Sequence, residues 1–148
     1  MKYSAWVVVE YDGTYLILQR GKKANNPNKW NLPGGGLEKK SGEKPKDTAA
    51  RELWEEAHIK IKKKDLTFLK RITAGDRQML YYHIKFDKKP KVKIDFESQG
   101  FKWCKPEEFP SKLHFQTKIF HKHLGKMELG SASGDWKTVV KKVLSLAA

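Results

Sequence analysis

Residues 34–59 read GGGLEKKSGEKPKDTAARELWEEAHI, and the rest of the chain is best understood around them. This stretch holds six of the seventeen acidic residues: Glu38, Glu43, Asp47, Glu52, Glu55 and Glu56. The remainder is strongly basic, so acid gathered on one short segment marks a built feature. Three glycines form a turn that leads into a helical pattern from about Pro45 to Ala57. Proline is tolerated in a first helical turn, and Asp47 suits the positive end of the helix dipole. At roughly 100° per residue, Ala49, Ala50, Leu53, Trp54 and Ala57 fall on one apolar stripe. Glu52, Glu55 and Glu56 share an arc on the other side, with Arg51 beside it. Like charges that close repel. A hard divalent cation such as Mg²⁺ or Mn²⁺ relieves the repulsion, because it favours carboxylate oxygen. A solvated acidic face is the plainer alternative; the glycine turn and Arg51 favour the metal. Glu43, just ahead of the helix, is expected to pair with Arg51 and pin the loop. An ordinary surface salt bridge there would be worth under about 1 kcal/mol.

Upstream, residues 5–20 read AWVVVEYDGTYLILQR. Two β-prone runs flank Asp12-Gly13, a strong hairpin signal because a type I′ turn needs positive φ at both central positions. GKKANNPNK, residues 21–29, is a polar loop, and Trp30–Leu32 reads as a short strand entering the glycine turn. Downstream, 65–72 and 78–86 alternate as strands around Gly75-Asp76. KKPKVK, residues 88–93, is a basic connector. Residues 101–104 (FKWC) read as another strand, and Pro106 begins a helical turn. Helices are expected over 117–124 and, after a loop at 130–135 capped by Asp135, along the stripe Trp136, Val139, Val140, Val143 and Leu144. Strands and helices mix without βαβ regularity, so the class is α+β with a mixed sheet between helices, in one domain over 1–148.

The 148 residues suffice for one packed core. The longest apolar run, Ala5–Val9, is too short for a membrane span or a signal-peptide core, which predicts a cytoplasmic protein with no membrane association. The lone Cys104 rules out an internal disulfide and reads as a small core or strand residue. A net charge of +14 favours polyanions such as nucleotides or RNA. Only Arg20, Arg51, Arg71 and Arg77 are arginine, however, and scattered lysine gives unspecific attraction. Genome composition would account for the excess equally well. His83, His114, His121 and His123 show no metal-ligand spacing, and no obligate protein partner is evident.

From Glu43 onward the stretch resembles the Nudix box, G-x5-E-x7-R-E-U-x-E-E-x-G-U, where U is a bulky aliphatic residue. Glu43 is followed after seven residues by Arg51-Glu52-Leu53-Trp54-Glu55-Glu56-Ala57. Leu32-Pro33-Gly34-Gly35-Gly36-Leu37-Glu38 looks like the turn that precedes it in the family. Two departures stand out. Lys39, Lys40 and Ser41 intervene where one residue is usual, an insertion expected to bulge at the loop tip. His58 stands at the glycine after the helix, a position that favours left-handed geometry and that histidine adopts at a cost of about 1 kcal/mol.

The resemblance implies an α/β/α sandwich and metal-assisted hydrolysis of a diphosphate linkage. Glu52, Glu55 and Glu56, with the Gly35 carbonyl, would bind Mg²⁺ or Mn²⁺, and Arg51 with Glu43 would support them. The general base varies within the family. It would be a box glutamate, Glu52 or Glu55, or else Glu97, which lies six residues before Trp103 in the manner of MutT-type enzymes, with Asp95 a nearby substitute. Arg20 and Lys29 would contact substrate phosphates, with Gly34 and Gly36 also at the substrate. Trp30, Tyr82 or Phe101 would stack a base unless they pack in the core, the commoner fate of aromatics. The implied substrate is a nucleoside diphosphate linked to another moiety: a nucleoside triphosphate, a nucleotide sugar, a dinucleoside polyphosphate or an RNA 5′ end. The alternative is a Nudix-fold module that binds nucleotide or RNA without turnover, although such modules usually lack one of the three glutamates that stand here.

Overall fold

The computed structural model describes residues 2–38 and 41–125. Seven strands make one mixed sheet: β1 (Lys2–Tyr11), β2 (Thr14–Arg20), β3 (Trp30–Asn31), β4 (Gly34–Gly36), β5 (Thr67–Ala74), β6 (Arg77–Phe86) and β7 (Ser98–Cys104). The main order is β3-β2-β1-β6-β5, with β4 on β1 and β7 on β2. β1 and β6 run parallel from Lys2↔Arg77 to Tyr11↔Phe86, and the other pairings are antiparallel.

The first hairpin forms as its turn residues dictate, with Asp12 at φ 49 and Gly13 at φ 73. Its pairing stops at Glu10↔Tyr15 and Tyr11↔Thr14, beyond which the strands diverge. Residues 30–36 fill the opening. β3 bonds to β2 at Leu18↔Asn31 and Gln19↔Trp30, and β4 bonds to β1 from Ser4↔Gly36 to Trp6↔Gly34. The expected glycine turn is therefore a strand. Glycine is required there because Gly34 has φ +154, and a Cβ on it would collide with the Ala5 carbonyl and lie 2.5 Å from Trp6 Cε3.

Period-2 alternation sends the two sides of β1 into separate cores. Trp6 and Val8 pack with Tyr15, Tyr81, Leu113 and Phe120, whereas Ala5, Val7 and Val9 pack with Ala49, Leu53 and Ala57. Helix α1 (Pro45–Ala57) thus covers one face and α2 (Phe115–Gly125) the other, giving the expected α+β sandwich with a mixed sheet between helices. Cys104 is buried at the end of β7. The expected loop at 130–135 and the final helical stripe from Trp136 to Leu144 lie outside the described residues, as do Lys39 and Lys40 of the insertion.

α1 has the expected bounds. The Lys44 N–H donates to the Asp47 carboxylate at 3.2 Å, and Pro45 occupies the first turn. His58 ends the helix in left-handed geometry (φ 55, ψ 33), and its N–H donates to the Trp54 carbonyl. Its Nδ1 lies 2.9 Å from the Lys93 carbonyl oxygen, a hydrogen bond that offsets the backbone cost. The apolar stripe needs one correction. Trp54 is 48% exposed and Ala50 only partly covered, so the buried arc is turned away from them and toward Glu52 and Glu56. The cause is β4, whose missing side chains let those two carboxylates lie against its backbone.

Candidate active site

The carboxylates of α1 meet the glycine strand one by one. Glu56 Oε1 accepts the Gly34 N–H at 2.8 Å. Glu52 lies against Gly35 so closely that a Cβ there would sit 2.6 Å from its Oε1. Glu55, one helical step outward, keeps half its side chain exposed. Three positions on one helix thus range from partly buried, at Glu52 and Glu56, to open at Glu55.

Arg51 ties this row to the loop. Its Nε donates to Glu43 Oε2 at 2.7 Å and its Nη2 to Glu43 Oε1 at 3.0 Å. Nη1 donates to Glu52 Oε1 and Glu55 Oε2, each at 3.1 Å, and Nη2 reaches the Gly36 carbonyl at 3.3 Å. Glu43 Oε1 also accepts the Thr48 hydroxyl at 2.6 Å and the Glu38 N–H at 3.1 Å. The expected pair is therefore a bidentate fork at the centre of a network, more than a surface salt bridge. Arg51, chiefly, holds the Glu43 carboxyl down to about 2.

The other carboxyls shift the opposite way. Burial pushes Glu52 up to about 7, the charges of Glu55 and Glu97 add to the rise, and Arg51 opposes it. Burial and then the neighbouring Glu52 push Glu56 well above the usual carboxylate range. Among the described residues, no three His, Cys, Asp or Glu side chains are gathered into a ready-made metal cluster; Glu52 and Glu55 both close on Arg51 Nη1 instead. The donor set nevertheless fits a hard divalent cation. It is all oxygen, two carboxylates are desolvated and mutually repelling, and the missing side chain of Gly35 lets the Glu52 carboxylate approach the β4 backbone.

Glu97 joins them from a loop distant in sequence. Its charge acts on both Glu52 and Glu56, and that of Asp95 acts on Glu56. The Gly21 N–H donates to the Glu97 carbonyl at 2.9 Å, which draws the loop after β2 against this segment. Arg20, at the end of β2, borders two cavities. A smaller one of about 240 Å³ is lined by Tyr3, Gly36, Arg77, His114, Phe115 and Gln116 among others; a larger one of about 600 Å³ lies between residues 20–25 and 96–99. Lys29 lines neither, yet its charge, with those of Arg20 and Arg77, acts on His114 at the smaller cavity. The Gly34 N–H is engaged by Glu56, so it positions that carboxylate, whereas Gly36 borders the smaller cavity.

Of the aromatic residues considered for stacking, Trp30 and Tyr82 belong to the core and Phe101 is 40% exposed. The smaller cavity instead carries Tyr3 and Phe115, both partly open. Gln116, on its wall, is buried and donates to Asn31 Oδ1 at 3.0 Å, as does the Thr117 hydroxyl at 2.6 Å. These contacts join residues 85 and 86 positions apart, and no local pattern announces them. Arg77, as one of four arginines, carried the only usable signal. His83 bonds to buried Glu10, and His121 bonds to the Pro106 carbonyl and stacks on Phe109, so these two histidines have structural partners.

The chain belongs to the Nudix family: the family model described as NUDIX domain matches residues 1–124. It is 31% identical over 112 residues to a MutT-like protein of Streptomyces ambofaciens, covering 74% of this chain and 66% of that one. To an RNA pyrophosphohydrolase of Roseobacter denitrificans it is 35% identical over 92 residues, covering 62% and 51%. To the nucleoside triphosphatase NudI of Escherichia coli it is 29% identical over 125 residues, covering 76% and 85%. The chain thus spans only part of the length of the first two relatives, two thirds at most. In structure it is similar to a MutT protein from Methanosarcina mazei, with TM-score 0.65, 22% identity and coverage of 84% and 93%. It is equally similar to a C. elegans Ap4A hydrolase, with TM-score 0.65, 23% identity and coverage of 86% and 98%. These two likenesses establish the fold.

Proposed function

We propose that this protein is a metal-dependent pyrophosphohydrolase that cleaves a phosphoanhydride bond in a nucleoside diphosphate joined to another moiety. One observation carries the reading: Glu52 and Glu56 are desolvated against a side-chain-free strand, with Glu55 sharing Arg51 and Glu97 within electrostatic reach, an arrangement that is costly without a cation. The relatives named as an RNA pyrophosphohydrolase and a nucleoside triphosphatase support the reaction class.

In this proposal Glu52, Glu55 and Glu56, with the Gly35 carbonyl, hold Mg²⁺ or Mn²⁺. Such an ion, when bound, neutralises phosphate charge and makes a water acidic enough to yield hydroxide near neutral pH. The chain's own residues do the remainder. Glu43 and Arg51 fix the helix against the loop, so the carboxylates keep their spacing. Arg20, Lys29 and Arg77 draw the phosphates in, Tyr3 and Phe115 flank the base, and Gln116 with His114 faces its edge. Glu97, on an exposed loop beside the carboxylates, takes the proton as water attacks phosphorus; the P–O bond breaks and a nucleotide or phosphate leaves. Glu52 or Glu55 is the alternative base.

No helix among the described residues is long and apolar enough to cross a membrane, and a cytoplasmic location is part of this proposal. The test is a panel of nucleoside triphosphates, nucleotide sugars, dinucleoside polyphosphates and triphosphorylated RNA, each with Mg²⁺, Mn²⁺ or chelator. Metal-dependent release of mononucleotide or phosphate is expected. No turnover on any member, with tight RNA binding that weakens steeply with salt, would establish a non-catalytic binding module instead.

A further inference from the structure

The larger cavity beside Arg20 has contents that a single nucleotide in the smaller one would leave unused. Its walls are the end of β2 with the loop after it and the start of β7 with the loop before it, joined by three hydrogen bonds. The Gly21 N–H donates to the Glu97 carbonyl, and Gln99 Nε2 donates both to the Arg20 carbonyl at 2.8 Å and to Asn28 Oδ1 at 2.7 Å. The space between them, about 600 Å³, is of the size that holds a nucleotide. Exposed Lys22 and Lys23 line one side, and Arg20 Nε is fixed on the Asn25 carbonyl at 2.6 Å. On the other side stands Phe96, 92% exposed and the most open of the large hydrophobic side chains among the described residues. Water is a poor solvent for a phenyl ring, and this one is held between Asp95 and Glu97, whose charges reach the α1 carboxylates. An aromatic face beside cationic side chains is the combination that binds a base together with its phosphate, and stacking on it is tolerant of base identity.

We infer that this cleft receives a second nucleotide, so that the preferred substrate is a nucleoside 5′-polyphosphate carrying a nucleotide at each end of the polyphosphate or along an attached strand. The first base lies in the smaller cavity, which Tyr3 and Phe115 line and which at about 240 Å³ has room for the base but not for its phosphates as well. The polyphosphate passes Arg20, which borders both cavities, and Gly36 of β4; the second base stacks on Phe96, and Lys22 and Lys23 meet its phosphate. A dinucleoside polyphosphate and the 5′ end of an RNA share this chemistry. The inference rests on the function proposed above only for the position of the cleaved bond; the cleft itself is tested by binding.

The experiment has two arms. In the first, equilibrium affinity is measured for a non-hydrolysable, methylene-bridged dinucleoside tetraphosphate, for a capped-phosphonate RNA trinucleotide and for a methylene-bridged nucleoside triphosphate. The wild-type protein is compared with Phe96→Ala and with the double variant Lys22→Ala/Lys23→Ala. At least one two-nucleotide ligand is expected to bind about tenfold more tightly than the triphosphate analogue, and Phe96→Ala is expected to erase most of that preference. Whether the dinucleotide or the RNA is the tighter identifies the source. The second arm compares kcat/KM for the matching hydrolysable pairs, where the same preference ratio should fall in the variants. Equal affinity for one-nucleotide and two-nucleotide ligands, or a preference that survives Phe96→Ala, overturns the inference even in an active enzyme. A Phe96-dependent preference without any turnover upholds the cleft and sinks the hydrolase reading.

Discussion

Arg51 grips Glu43 through two hydrogen bonds, Nε to Oε2 at 2.7 Å and Nη2 to Oε1 at 3.0 Å, across the junction between the loop and α1. Lysine cannot reproduce that fork. Arg51→Lys is therefore expected to destabilise the fold by about 2 kcal/mol, between the values for exposed and buried pairs, and to lower turnover as Glu52 and Glu55 lose their shared donor. Denaturant melts and steady-state rates would check both. Stability equal to wild type would show that the network is decorative.

The same pair sets an acid limit. The folded Glu43 carboxyl sits at about 2, below its ordinary 4.5, so the folded state binds fewer protons than the unfolded chain in that window. This contribution to stability is complete above about 4.5 and is lost as pH falls toward 2. Glu43→Gln should flatten the acid arm of a melting-temperature profile from pH 5 to 2.

Glu52 works in the other direction. With its carboxyl at about 7 in the metal-free protein, stability declines as pH rises from about 4.5 through 7, and Glu56 adds to the decline. Mg²⁺ or Mn²⁺ is expected to raise the melting temperature more at pH 8 than at pH 5. Glu52→Gln should stabilise the metal-free protein at pH 8 and abolish the metal-induced shift. A metal response independent of pH and of Glu52 would place the ion elsewhere.

Adjacent glycines in β4 predict different failures. A Cβ at Gly34 meets Ala5 backbone at a φ of +154, so Gly34→Ala should cost several kcal/mol of fold stability, chiefly as steric strain. At Gly35 the nearest atoms a Cβ would meet are those of the Glu52 carboxylate, 2.6 Å away, on a side chain that can move. Gly35→Ala should fold with a near-normal melting temperature yet bind metal at least tenfold more weakly, as titration with Mn²⁺ would show.

Glu97 and Glu55 separate proton transfer from metal holding. Glu97→Gln is expected to slow turnover at least tenfold while metal affinity and melting temperature hold, since its side chain is exposed. Glu55→Gln should abolish activity through the metal and leave the fold intact. A near-normal rate in Glu97→Gln would move the base into the box.

Much of this was legible along the chain because it is governed by local rules. Pro45, Asp47 and the spacing of Ala49, Leu53 and Ala57 mark α1, expected from about Pro45 to Ala57, and Asp12-Gly13 marks the first hairpin. The helical stripe misplaced Trp54 because angular position on a helix does not say where the neighbouring sheet lies. The glycine segment read as a turn because residues without side chains carry no alternation.

The order of residues by itself determined the Nudix box, the acidic row of α1 and the Glu43–Arg51 partnership, since a helical period and a short loop place those groups without help from the rest of the chain. Tertiary structure alone decided that the first hairpin splays and admits β4, that Glu52 and Glu56 are desolvated against it, and that the charge of Glu97 reaches them. It also set Tyr3, Arg77, Phe115 and Gln116 around one cavity and Phe96 over another. Those juxtapositions come from packing two cores on opposite faces of one sheet, a long-range balance of burial and backbone pairing that no short window of sequence contains.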